Sequence, residues 1–224
     1  MKHTKLVGVL GASLLWAVQA SAVPVIVSGF EYPSSPTTAH IQNSSPGVSA
    51  NVYAGGFLTD AGGSSFTSWC VDIFQHTYFG QAVNDYTLTD GATALGASRA
   101  DALGRLATQA LPLVTNAAAS GAFQLAIWEI VNETAGNPYN LSAGNFQASS
   151  VSSGALALAQ SWLSNLGGLN QYVLGVWQSG TRQDLAVFNR VTVPEAGSLT
   201  MLGLGLLAAG IARRRQISAR QIDG

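Results

Sequence analysis

The sequence predicts an α+β fold, a β-rich body carrying a helical insertion. Two observations point to it. Runs rich in Val, Ile, Tyr and Phe, punctuated by Gly and Pro, occupy both ends of the central region. Apolar residues recur at helical spacing only between Ser98 and Asn165. Composition adds that the chain has a core to build: 47% of its 224 residues are hydrophobic and 9% are charged. Soluble domains average about 25% charged residues, so Ser, Thr, Asn, Gln and Gly must cover the surface. Residues 23–192 are enough for one domain.

The elements follow in order. Pro24 to Phe30 and Gly47 to Leu58 read as strands, and the Ser/Thr/Pro-rich segment from Pro33 to Ser45 between them as a loop. Phe66 to Tyr78 is expected to be a longer strand and Asp85 to Thr89 a short one. Ser98 and Asp101 resemble a capping box ahead of Leu103, Leu106 and Ala110, and Pro112 should end or kink that helix. A second helix is expected from about Ser120 to Glu133, with Phe123, Ile127 and Ile130 on one face. A third runs from about Ser153 to Asn165, followed by strands at Tyr172 to Trp177 and Asp184 to Val193. No internal repeat of useful length is present.

Both ends carry export features. Lys2 and Lys5, the apolar stretch Leu6 to Val18 and the small-residue pattern Ala20-Ser21-Ala22 read as a signal peptide over residues 1–22. Signal peptidase is then expected to cut between Ala22 and Val23. At the other end, Pro194-Glu195-Ala196 precedes an apolar run and the cluster Arg213, Arg214 and Arg215. A helix over the 16 residues from Gly197 to Ala212 would span about 24 Å. That is short of the roughly 30 Å hydrocarbon core, but long enough to insert where Arg side chains snorkel and the bilayer thins. The arginines should face the cytoplasm, with residues 216–224 as a cytoplasmic tail.

This ending, over about residues 192–215, resembles the PEP-CTERM sorting signal of Gram-negative bacteria. The resemblance implies transient anchoring in the inner membrane by a single short helix within the sorting signal, residues 193–215. Processing by an exosortase and release to the cell surface or extracellular matrix would follow.

Several function classes are excluded. The expected domain holds nine acids and four arginines, for a net charge of −5, and no lysine. A nucleic-acid binder needs clustered cations, which are absent here. One cysteine permits neither a disulfide framework nor a Cys-rich zinc site. His40 and His76, the two histidines of the domain, show no metal-ligand spacing with Cys70. No phosphate loop is present, and neither a cofactor nor a metal is expected. A Cys–His dyad also fails on distance. His76 lies six residues beyond Cys70, about 20 Å along an extended strand, unless that strand folds back. The chain is therefore not expected to be an enzyme.

The remaining chemistry sits in Ser68-Trp69-Cys70-Val71-Asp72 and Ala122-Phe123-Gln124-Leu125-Ala126-Ile127-Trp128-Glu129, two segments that together resemble the thioester domains of bacterial surface adhesins, where such a Cys and Gln join side chains. Joining a thiol to a carboxamide as a thioester expels ammonia. It requires water exclusion and donors for the developing oxyanion. Trp69, Phe123 and Trp128 are candidates for a dry wall, and Asp72 for a polar orienter or turn partner. Gln124 is expected near the start of its helix, where free N–H groups favour negative charge. The bland alternative is that Cys70 is a small buried hydrophobe and Ala-Ile-Trp the apolar face of a buried helix.

Over about residues 66–133 these two motifs resemble the thioester domains of bacterial surface adhesins. The resemblance implies that Cys70 and Gln124 form an internal thioester, which attaches the protein covalently to a host, cell-surface or exopolysaccharide target. Phe123 stands where that family usually has Thr. The other reading is a passive exopolysaccharide- or biofilm-associated structural protein without the bond, with Tyr172 or Trp177 as a sugar platform.

Overall fold

The computed structural model describes residues 23–191. The signal peptide including Ala22, the motif Pro194-Glu195-Ala196, the apolar run and Arg213 to Arg215 lie outside the described residues. Among those described, no helix is long and apolar enough to cross a membrane.

The body is β-rich, with a few helices. Strands β1 (Val25–Phe30), β4 (Phe57–Ala61), β5 (Ser64–Cys70), β6 (Ala82–Val83), β7 (Thr87–Asp90), β9 (Tyr172–Gln178) and β10 (Leu185–Arg190) form one sheet. Its order is β6-β1-β4-β5-β10-β9-β7, and every pairing is antiparallel. A second sheet has the order β3-β2-β8, from β2 (Thr37–Asn43), β3 (Val48–Ala54) and β8 (Phe146–Ser149). Helices α1 (Gly91–Leu95), α2 (Ala97–Ala110), α3 (Ala117–Asn132) and α4 (Ala155–Ser164) lie between β7 and β9 in the chain, with β8 among them.

Three strand expectations need correction. Strand β2 falls inside the segment expected as a loop. Its Ser/Thr/Pro flanks hide a period-two alternation in which Thr37, Ala39, Ile41 and Asn43 are buried. The single strand expected from Gly47 to Leu58 is two strands in different sheets, broken at Gly55-Gly56. Glycine is needed there because a Cβ at Gly56 would lie 2.9 Å from the Trp69 ring. The strand expected to reach Tyr78 stops at Cys70. Beyond it the chain turns, with the Asp72 carboxylate accepting the Phe74 N–H at 2.6 Å. Strand β8 was not foreseen at all, being four residues long with only Phe146 and Ala148 apolar.

Two helix starts also differ. Helix α2 begins at Ala97 behind Gly96, so Ser98 caps nothing. Asp101 instead pairs with Arg105 one turn on, at 3.0 Å. Helix α3 begins at Ala117, where the Asn116 side chain accepts the Ala119 N–H at 2.9 Å. Three successive alanines then favour helix more than the Ser-Gly that follows them.

Helix α3 lies between the sheets, touching β2, β3, β5 and β8. Every residue from Ala119 to Ile130 is buried, as expected of a helix apolar on all sides. Close approach to β2 needs Gly121, because a Cβ there would strike Thr37. Ser120 reaches across to the break between the sheets and accepts the Gly56 N–H at 2.9 Å.

The C-terminal end of α3 carries two buried carboxylates with opposite environments. Burial raises the Glu133 carboxyl, but N–H donors from Asn137, Thr134, Asn145 and Phe146 together hold it below its usual value. Glu129 has one such donor, Asn140 N at 2.6 Å, and its other oxygen has no hydrogen-bond partner. Burial pushes Glu129 up to about 7, and the neighbouring Glu133 charge adds to the rise. A carboxyl whose folded pKa exceeds its unfolded value of about 4.3 favours the fold below that value. Its contribution is lost as pH rises through about 7. Glu31 and Asp184, also raised by burial, act in the same direction. We expect stability in urea to fall by about 1–3 kcal/mol between pH 5 and 8, and Glu129→Gln to flatten that slope. An unchanged slope in the variant would remove Glu129 as its cause.

Candidate functional site

Cys70 is the last residue of β5 and is 2% exposed. Successive strand residues face opposite sides of a sheet, and here both sides are covered. Trp69 packs edge-on against Phe123 with ring centroids 4.6 Å apart, while Cys70 faces a separate cavity. The Cys70 backbone lies past the end of the neighbouring strand, since β4 begins at Phe57 opposite Ser68. On the other side, the Val71 N–H bonds Asp184 O at 3.0 Å.

Gln124 completes the unpaired side. Its Oε1 accepts the Cys70 N–H at 3.0 Å, and its Nε2 donates to Cys70 O at 2.7 Å. The side-chain amide thus takes the place of a strand neighbour, 1% exposed, in the third turn of α3. The expectation that Gln124 sits in the first turn is corrected, because the helix starts earlier. Helix N-terminal N–H groups therefore cannot serve its carbonyl. The Cys70 N–H does so instead, as a fixed donor aimed at the oxygen on which charge would develop.

The thiol has its own partner, which the sequence did not reveal. Cys70 Sγ donates to Gln183 Oε1 at 3.1 Å, and Gln183 Nε2 donates to Asp72 O at 2.9 Å. Gln183 lies 113 residues away, in the turn before β10. No local pattern marks it. Two carboxamides therefore flank Cys70, one on its backbone and one on its sulfur. Burial, and next the Asp72 charge, push the thiol far above the usual cysteine range; the Thr77 hydroxyl works weakly the other way. The Thr77 oxygen nevertheless has no hydrogen bond of good geometry, so its influence is electrostatic proximity rather than a formed bond. The cysteine is held as a protonated thiol with almost no surface open to solvent.

The chain after Cys70 folds back over it. Gln75, His76 and Thr77 line the same cavity of about 340 Å³ as Cys70, Gln124, Trp128 and Gln183. The extended-strand separation of His76 from Cys70 therefore does not hold in the folded protein. The Arg182 guanidinium stacks on Tyr78, 4.9 Å from the ring centroid, and the Gly80 N–H bonds Val27 O at 2.8 Å. Both contacts hold this segment down.

Of the aromatic wall expected from sequence, only Trp128 borders this cavity. Trp69 and Phe123 belong to the core on the other face, where Phe123 also meets Phe188 and Trp162. Asp72 makes the turn at Phe74, one of the two roles expected of it. Trp177 is half-buried and stacks on Phe66 with centroids 6.5 Å apart. His40 sits on β2 with its Nδ1 2.9 Å from Asn51 Oδ1. Among the described residues, no group of three or more His, Cys, Asp or Glu side chains is placed to hold a metal ion.

Beyond the site, the tail decides one point. Residues 192–216 match the PEP-CTERM protein-sorting motif. The chain carries this sorting motif. That signal implies export, a C-terminal membrane anchor before processing, and processing by an exosortase. Among solved structures, the chain is similar to the N-terminal thioester domain of a surface protein from Clostridium perfringens, in two forms. A cysteine-to-alanine mutant gives a TM-score of 0.47 at 15% identity, covering 75% of this chain and 99% of that one. The unmutated form gives 0.42 at 14% identity, with the same coverage. No curated protein matches significantly.

Proposed function

We propose that this is an exosortase-sorted surface protein whose domain joins Cys70 to Gln124 as an internal thioester, used once to attach the protein covalently to another surface. The carrying observation is the pair of hydrogen bonds between the Gln124 amide and the Cys70 backbone. They fix the carboxamide beside the cysteine and point a donor at its oxygen. Bond formation balances without a co-reactant. The sulfur attacks the Gln124 acyl carbon, the carbon–nitrogen bond breaks, and the thiol proton leaves on ammonia. Burial of both side chains keeps water from the product. Release by a nucleophile restores the thiol and leaves the nucleophile on the Gln124 acyl group. Each molecule reacts once, which makes this an anchor and not a turnover enzyme.

One observation favours a second acyl partner: the thiol is hydrogen-bonded to Gln183. Intact mass of the exported protein separates the readings. A mass deficit of one ammonia is expected, lost in Cys70→Ala and kept in Gln183→Ala. Loss of the deficit in Gln183→Ala alone would transfer the bond to Gln183. Full mass with a titratable thiol in fresh wild-type protein would leave the passive matrix protein as the reading.

A further inference from the structure

We infer that the cavity beside Cys70 binds a neutral saccharide, and that its hydroxyl is the nucleophile. The second half rests on the thioester reading above; the first does not.

Three features of the cavity carry this. The first is a set of buried polar atoms without hydrogen-bond partners. Trp128 Nε1 is one, on a side chain 97% buried by its 3% exposure. Gln75 Oε1 and Thr77 Oγ1 are two more, contributed by the segment folded back over Cys70. Unpaired buried polar atoms are costly, and these three, on side chains that line one cavity, call for a complementary group. It must accept from an indole N–H and donate to an amide oxygen.

A hydroxyl does both as it stands at neutral pH, whereas a lysine side chain arrives as an ammonium that only donates and must lose a proton before it can accept or attack. An ammonium would leave Trp128 Nε1 unpaired.

The second feature is charge. No Asp, Glu, Lys or Arg lines the cavity. An incoming cation would lose its hydration with no carboxylate to replace it, while a neutral ligand loses little.

The third is the wall. Phe30 packs on Phe57 at 5.1 Å, on Phe79 at 5.4 Å and on Tyr53 at 6.1 Å between ring centroids. Tyr53 and Phe79 are 60% and 46% exposed, so this cluster opens to solvent. Aromatic faces beside a few fixed polar groups suit a ligand with an apolar C–H face and a hydroxylated rim.

Within the thioester reading, the sugar oxygen attacks the Gln124 acyl carbon and the carbon–sulfur bond breaks. The hydroxyl proton passes to sulfur. The products are an ester on Gln124 and the free Cys70 thiol.

The test uses the full chain carrying Cys70→Ala, which removes the covalent step. Neutral trisaccharides of glucose, galactose and mannose, glycerol, and N-acetyl-lysinamide are titrated separately. The readout is the Trp128 indole N–H resonance, assigned by its loss in Trp128→Phe. At least one trisaccharide should shift it, with at least tenfold weaker binding in Tyr53→Ala and no shift from lysinamide. A shift from glycerol equal to that from every trisaccharide would make the ligand a polyol headgroup and overturn the saccharide. No shift from any trisaccharide, or a shift from lysinamide alone, also overturns it. The two readings fail separately. Wild-type protein at full mass with saccharide binding intact discards the thioester and keeps the ligand. A mass deficit with capture of lysinamide alone does the reverse.

Discussion

Relative to protein in which the thioester has not formed, Gln124→Ala is expected to cost about 2–6 kcal/mol of folding stability. The figure comes from two buried backbone groups left unpaired, at about 1–3 kcal/mol each, and a cavity term would only enlarge it. The groups are the N–H and C=O of Cys70, held by the Gln124 amide at 3.0 and 2.7 Å. Neither is served by a strand, because β4 ends short of Cys70 on that side. Against a typical total of about 5–15 kcal/mol, the loss should show as a large fall in the urea midpoint at unchanged slope. Cys70→Ala keeps its backbone and both amide bonds, so it should lose far less. Equal effects of the two variants would mean that the amide is not bracing the strand. The stability readout also guards the chemical one, since absence of a thioester in Gln124→Ala means little if the domain has unfolded.

Glu133→Ala should be comparably severe, at about 3–5 kcal/mol, and for a different reason. The Glu133 carboxylate accepts the N–H groups of Thr134 and Asn145 at 2.8 Å, the Asn137 side chain at 2.9 Å and Phe146 N at 3.4 Å. It is 2% exposed, so water is a poor substitute. These bonds close the loop after α3 and launch β8. Gly144, at φ 111°, leaves space that a Cβ would take from this carboxylate. Because the Glu133 carboxyl lies below its usual value, its contribution is present above about pH 4.3 and is lost as pH falls through the lowered value. The variant should lack that acid-side loss, and its β8 amides should exchange faster with solvent. Unchanged β8 protection would show that the loop holds without the carboxylate.

Some of this was legible in the residue order. The core strands β1, β9 and β10, with helices α2 to α4, follow from β-branched runs and apolar periodicity. Period-two burial in β2 was masked because its outward positions Thr38, His40 and Gln42 are polar and its flanks are Ser and Pro, which also make loops. Strand β5 was read too long because Val71, Ile73 and Phe74 continue an apolar run. A run of that kind records burial, which a covering segment satisfies as well as a strand does. Phe123, the departure from the adhesin pattern, is explained by its place against Trp69, Trp162 and Phe188, on the face away from the cysteine.

By itself, the sequence determined the sorting tail, the β-rich class and the pair of motifs around Cys70 and Gln124. These are local signals, carried by consecutive residues whose composition has one physical reading. Only the tertiary structure decided what surrounds Cys70. Gln183 on the sulfur, the unpaired Trp128, Gln75 and Thr77 atoms, and the return of His76 toward the cavity come from packing between distant segments. So does the carbonyl donor, because a backbone N–H becomes available only where a neighbouring strand stops. Such vacancies are properties of chain ends meeting in space, and no spacing along the chain encodes them.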